Sequence, residues 1–141
     1  MIKVRTLGMF KSAKVKADIV ASTDVKNQTF YKDGDDLYFI DNAVSGDDAF
    51  QDDVTLPAGK KLNGYLVKAW EGQELVVDGK HVTGGVSSLA DGAILVYNDE
   101  GGLTTGVAEG VHFVVTGKTR LTEDAVIVKV STGTASAAPI A

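Results

Sequence analysis

The sequence predicts an all-β protein, a small barrel or sandwich of short antiparallel strands with an extended N-terminal arm and a flexible C-terminal tail. Three observations carry that expectation. Apolar runs rich in β-branched and aromatic residues recur along the 141 residues, among them Leu37-Tyr38-Phe39-Ile40, Ala93-Ile94-Leu95-Val96-Tyr97 and Ala125 to Val130. Each is strand-length and too short for a helix. Gly and Asp turn signals separate the runs, and little that looks catalytic accompanies them.

In chain order, residues 1–26 form a basic arm or first strands, because Ile2 and Val4 alternate with Lys3 and Arg5, and Val15, Ala17 and Ile19 alternate with Lys14, Lys16 and Asp18. Residues 27–131 form the β domain. It starts with an aromatic hairpin in which Thr29-Phe30-Tyr31 and Leu37 to Ile40 flank Asp33-Gly34-Asp35-Asp36, since Asp and Gly both tolerate positive φ. Residues 41–53 follow as an acidic loop with Ala43, Val44, Ala49 and Phe50 its main apolar members.

Pro57 and Gly59 in Leu56-Pro57-Ala58-Gly59 signal a turn, with Pro at the first central position, and a strand is expected from Gly64 to Trp70. Glu74 to Val77, Asp78-Gly79 and Lys80 to Thr83 read as the clearest hairpin. Ala93 to Tyr97 and Leu103 to Thr105 flank the turn Asn98 to Gly102, while Val111 to Thr116, Gly117-Lys118 and Thr119 to Leu121 lead into a last, nearly all-apolar strand at Ala125 to Val130. Such a strand is covered on both sides or closes a barrel. Residues 132–141 are small and polar, a tail that a partner would have to order.

A chain of this length buries enough surface for a core without staples. It contains no Cys, which excludes a disulfide framework and a Cys-ligated zinc site. Scattered lysines between Met1 and Ala17 leave no signal-peptide apolar region, and no apolar run reaches membrane-spanning length, so a soluble protein is expected, with no membrane partner.

The net charge of −5 conceals an asymmetry. Residues 1–26 carry six cations against Asp18 and Asp24, whereas residues 33–53 carry eight Asp and no base. Opposed patches of this kind are solvated faces, or meet within one fold or between neighbouring copies. Nucleic acid is not an expected partner, because Phe10 alone accompanies the basic residues where stacking aromatics would be interleaved.

No cofactor, metal or catalytic site is expected. His81 and His112 each lie in a predicted strand beside apolar residues, without a nucleophile or carboxylate at a telling spacing. The Asp33 to Asp36 turn and the pairs Asp47-Asp48 and Asp52-Asp53 offer oxygens to calcium but lack the ligand ladder of a helix-loop-helix calcium site. Gly84-Gly85 and Gly101-Gly102 precede no Lys-Ser or Lys-Thr and read as turns. Asn27-Gln28-Thr29 matches a glycosylation acceptor by chance, and Trp70 reads as core or rim packing.

The stretch Ser88 to Gly106, with its turn, apolar strand and Gly-containing turn, followed by Val111 to Val115 and Ala125 to Val130, resembles the small β-barrel head decoration, or capsid cement, proteins of tailed bacteriophages. The resemblance is one of pattern over residues 54–131. It departs at Asp91-Gly92, where Gly-Asp is the more usual order, and has no match for residues 28–53. It implies a structural virion protein on the capsid surface, made in the host cytoplasm, with the major capsid protein and neighbouring copies of itself as partners. It also implies that Lys3, Arg5, Lys11, Lys14 and Lys16 are the capsid or neighbour contacts. Two alternatives stand beside it: another phage structural component, such as a head fibre base or tail protein, and a glycan- or calcium-binding β module. An enzyme is the least supported class.

Overall fold

The computed structural model describes residues 2–5, 14–42, 54–121 and 123–133. It is an all-β fold in which every strand pairing is antiparallel. Twelve strands are present among the described residues: β1 (Ile2–Val4), β2 (Val15–Val20), β3 (Val25–Lys26), β4 (Phe30–Asp33), β5 (Asp36–Ile40), β6 (Thr55–Leu56), β7 (Lys61–Leu66), β8 (Glu74–Asp78), β9 (Ile94–Tyr97), β10 (Leu103–Thr105), β11 (His112–Arg120) and β12 (Asp124–Ser131). They form a six-stranded sheet in the order β1-β8-β12-β11-β9-β10, a four-stranded sheet β2-β7-β5-β4 and a small β3-β6 pair.

The two larger sheets share one core. Leu37 and Phe39 of β5 and Phe30 of β4 pack with Leu75, Val77, Leu95, Phe113, Val126 and Val128 of the six-stranded sheet. Alternation sends Tyr38 and Ile40 to the opposite face of β5, where they pack with Ile19, Leu62 and Leu56 in a second cluster. Leu56 of β6 thus covers β5 on its second face. This explains why Leu37 to Ile40 is uninterrupted apolar sequence and is buried at every position.

The aromatic hairpin forms, with its two-residue turn at Gly34-Asp35 between Asp33 and Asp36. Gly34 has φ +64° at the first central position, where a type II′ hairpin turn places glycine. The hairpin of Leu103 to Thr105 on Ala93 to Tyr97 is likewise present, as β9 and β10. The last apolar run, β12, is an inner strand between β8 and β11, but contrary to expectation it is, among the described residues, neither covered on both faces nor part of a closed barrel: Lys129 is exposed, Ile127 half-buried, and the sheet ends at β1 and β10.

Several expectations are corrected. The hairpin centred on Asp78-Gly79 does not form: β8 lies between β1 and β12, and Gly79–His81 is a 3₁₀ turn. Gly79 is not among the positive-φ residues, and Asp78 is fully buried beside β12. The strand expected through Trp70 ends at Leu66, and Val67–Trp70 turns as a 3₁₀ helix that carries Val67 and Trp70 into the core. The segments from Val111 to Leu121 form one strand, β11, which runs from His112 to Arg120 with a one-residue irregularity between Val115 and Gly117. At the Pro57 turn, Lys60 N–H donates to the Pro57 carbonyl at 3.4 Å, so Pro57 is the first residue of the turn and not its first central one.

Asn27 holds the corner from which residues 43–53 depart. Its side chain is fully buried. Nδ2 donates to the Asn42 carbonyl at 2.9 Å and Oδ1 accepts from Asn42 N–H at 2.9 Å, while Asn27 N–H donates to the Val54 carbonyl at 2.9 Å. Asn42 repeats the device one strand further on, its amide pairing with the Asn63 main chain at 2.9 and 3.1 Å. A glycan on Asn27 Nδ2 is incompatible with this fold, which supports the reading of the acceptor motif as chance. Replacing Asn27 by Ala strands two buried main-chain groups, and replacing it by Asp removes the donor. Either change is expected to cost roughly 2 kcal/mol, read as a lower urea midpoint, and a wild-type midpoint would count against the clasp.

Candidate interaction surface

The expected contact residues divide between two places in the fold. On β1, Ile2 and Val4 face the core, so alternation sets Lys3 on the outer face of the six-stranded sheet. Arg5 extends the ladder by donating its N–H to the Glu74 carbonyl, and its guanidinium pairs with the Glu74 carboxylate at 3.0 Å. Lys14 and Lys16 lie on the other sheet, at its β2 edge, where Leu66 N–H donates to the Lys14 carbonyl at 2.8 Å. Lys11 lies outside the described residues, as do Asp47, Asp48, Asp52 and Asp53 of the acidic loop.

Part of the charge asymmetry closes within the chain. Lys16 pairs with Asp33 at 2.8 Å and stands 5.9 Å from the centre of the Tyr38 ring, and Lys68 pairs with Asp36 at 3.0 Å. The hydrogen bond that Lys16 donates to the Asp33 carboxylate raises the Lys16 pKa above its ordinary value, against a smaller opposing effect of desolvation. Two carboxylates of the turn considered for calcium are thus ion-paired to lysines. Among the described residues no group of three His, Asp or Glu is placed to hold a metal ion.

The outer face of the six-stranded sheet carries a residue set that sequence reasoning did not assemble. The registers align Lys3, Val76, Ile127 and Gly117 in one row across β1, β8, β12 and β11. A second row runs from Arg5 through Glu74, Lys129 and Val114 to Ile94. Val114, Ile127 and Ile94 remain partly exposed on this face while their neighbours in sequence fill the core. The surface therefore mixes three cations and one carboxylate with a strip of aliphatic side chains. Lys129 was hidden in the sequence inside the valine-rich last run, and only the register of β12 against β8 brings it beside Glu74 and the β1 cations.

At the far edge of the same sheet lies an acidic groove. One part, of about 280 Å³, is lined by Asp24, Lys26, Tyr31, His81, Tyr97, Asp99 and Glu100 among others. A second, of about 350 Å³, shares Tyr97 and Asp99 with it and adds Lys32, Asp35 and Glu109. Tyr97 is half-buried between the two parts of the groove, with the main chain of Gly101 and Lys32 beside its phenol, and Phe30 N–H donates to the Gly101 carbonyl at 2.9 Å. These contacts stitch the β4 edge to the β9–β10 hairpin.

Burial raises the Tyr97 phenol pKa above its ordinary value of 10.0, with the main-chain hydrogen bond at Gly101 opposing it, and burial raises Tyr65 as well. The fold thus favours the neutral phenols. Their contribution to stability is complete below the unfolded-state value and is lost as pH rises through the higher folded-state values. The melting temperature is expected to fall above about pH 10, and to fall less steeply in Tyr97→Phe. Equal alkaline slopes in the two proteins would refute the assignment to Tyr97.

His112 is buried in β11 with Nδ1 2.9 Å from the Gly110 carbonyl, and His81 sits in the 3₁₀ turn after β8 at the rim of the groove, not in a strand. Asp78, fully buried at the end of β8, is absent from the linings of both parts of the groove. No helix among the described residues is long and apolar enough to cross a membrane.

Fold and surface together define a class, an antiparallel β sandwich with charged surfaces at opposite edges of its larger sheet. No family model, no curated protein and no solved structure matches the chain.

Proposed function

We propose that this chain is a structural protein of the bacteriophage virion, binding the outer surface of the capsid and stabilising it. The observation that supports the reading best is the outer face of the six-stranded sheet, where Val114, Ile127 and Ile94 form a partly exposed aliphatic strip inboard of the cations at the β1 edge. An extended face of mixed cationic and apolar character suits protein recognition, with charge guiding encounter and the apolar strip adding buried area. A shell presents such a face with many equivalent sites, so contacts of modest strength suffice when copies are linked over the lattice. The pattern of strands and turns over residues 54–131 supports the same reading through its resemblance to capsid cement proteins.

Quantitative mass spectrometry of gradient-purified virus particles from the source system tests it. A copy number equal to that of the major shell protein, or a simple fraction of it, is the expected result. Absence from the particles would overturn the proposal in favour of a ligand-binding β module, the reading that the tyrosine-lined groove favours. A ligand of that groove would then reveal itself by raising the melting temperature.

A further inference from the structure

We infer that copies of this chain associate head to tail, the cationic outer face at the β1 edge of one copy seating on the acidic groove at the β9–β10 edge of the next. The inference deepens the proposed virion role by naming the contact between neighbouring copies. It rests on where the fold puts its charges. In the six-stranded sheet β1 and β10 are the two edges, separated by about 24 Å at ordinary strand spacing.

Toward the β1 edge stand Lys3, Arg5 and Lys129 with Glu74 as the one carboxylate among them, a local balance of +2. Around the groove stand Asp24, Asp35, Asp99, Glu100 and Glu109 against Lys26 and Lys32, a local balance of −3. Lys26 is partly occupied within the fold, with its ammonium 2.9 Å from Thr55 Oγ1. The chain as a whole is acidic, with a net charge of −5, so like surfaces repel and a basic face finds its complement on a different surface of another copy.

The groove also offers Tyr31 and Tyr97, and an aromatic ring beside carboxylates is a favourable seat for a lysine or arginine head. Val114 and Ile94 lie on β11 and β9, away from the β1 edge, so the contact engages the edge cations and leaves the aliphatic strip to the shell. A contact between two different surfaces is heterologous: it closes into a ring or propagates as an array, and it does not stop at a two-fold dimer.

Sedimentation velocity on the full chain tests the inference directly, comparing wild type with Lys3→Glu/Lys129→Glu and with Asp99→Lys/Glu100→Lys. All four positions are exposed, so both variants are expected to fold, with circular dichroism as the check. Wild type should show a weight-average mass that rises with concentration at low salt, the association weakening about tenfold or more as salt is raised to roughly 0.5 M. Each variant alone should be monomeric. Their equimolar mixture should recover association, because it restores one native pairing of an intact basic face with an intact groove.

A wild-type chain that remains monomeric to millimolar concentration at low salt, or reversed variants that associate as wild type does, would overturn the inference. So would a mixture that stays monomeric. None of these outcomes touches the copy number on virus particles, so failure of the head-to-tail contact and failure of the virion role are separately visible.

Discussion

Gly102→Ala is expected to destabilise the protein by roughly 3 kcal/mol, at the upper end of the usual cost of forcing an extra carbon into a packed site. A Cβ on Gly102 would lie 2.2 Å from the His81 carbonyl oxygen and 3.0 Å from its carbon. Carbon–oxygen contacts run to roughly 3.3 Å even where they are favourable, so about 1 Å of movement must be found. Neither strand can easily supply it. Gly102 N–H donates to Asn98 Oδ1 at 3.0 Å and its carbonyl accepts from Asn98 N–H at 3.0 Å, which fixes the β9–β10 turn. On the other side Val82 bridges Leu103, and Thr83 N–H donates to the Leu103 carbonyl at 2.8 Å.

The alanine must therefore break the turn or part the bridge. A urea midpoint lowered by about 1–3 M is the expected reading, taking the usual denaturant slope for a small domain. Gly84→Ala is the instructive contrast: a Cβ there meets nothing within 4 Å, and the φ of +83° alone sets a cost of about 1–2 kcal/mol. Equal losses at the two positions would show that close approach to His81 is not what position 102 requires.

Trp70→Ala should be the most damaging core truncation, at about 3–5 kcal/mol. Trp70 is completely buried at the end of the 3₁₀ turn, stacked on Tyr65 with ring centres 5.5 Å apart and 6.2 Å from Phe39. Phe39 meets Phe30 at 5.8 Å, and Phe30 meets Phe113 at 5.1 Å. The indole thus anchors one end of an aromatic row that runs from the four-stranded sheet into the six-stranded one. Removing it leaves a cavity where the two sheets meet, and strands held by ladders on both sides cannot close over it.

For a domain whose whole stability is of order 5–15 kcal/mol, that loss is a large part of the total. Trp70→Phe should recover much of it, since a ring still continues the row. Because Trp70 is the only tryptophan, its emission follows unfolding of the wild type, and far-ultraviolet circular dichroism serves for the variants. A midpoint for Trp70→Ala within error of wild type would show that the row does not join the sheets.

Local pattern was enough for the elements whose partners are close in sequence. The β4–β5 and β9–β10 hairpins have their strands and turn within a few residues, and the Asp33 to Asp36 and Asn98 to Gly102 signals mark both. The candidate surface was legible only in part. Lys3, Arg5, Lys14 and Lys16 stand out as a basic run in sequence, yet the fold puts the first two on one sheet and the last two on the other. Lys16 is then drawn into an ion pair with Asp33. Lys129, Ile127 and Val114 gave no sign of belonging with Lys3, because two long-range ladders in succession, β1 on β8 and β8 on β12, are needed to bring them to one face.

Local pattern accounts for the all-β class and for the β4–β5 and β9–β10 hairpins, since side-chain alternation and turn chemistry act over a few residues and need no distant partner. Tertiary structure alone decided which strands became neighbours. Asp78-Gly79 has the chemistry of a hairpin turn, yet β8 is paired on both edges, by β1 and β12, with Leu75 to Asp78 buried. Burial of apolar area and saturation of main-chain hydrogen bonds are properties of the assembled sheet, and they outweigh the preference of two turn residues.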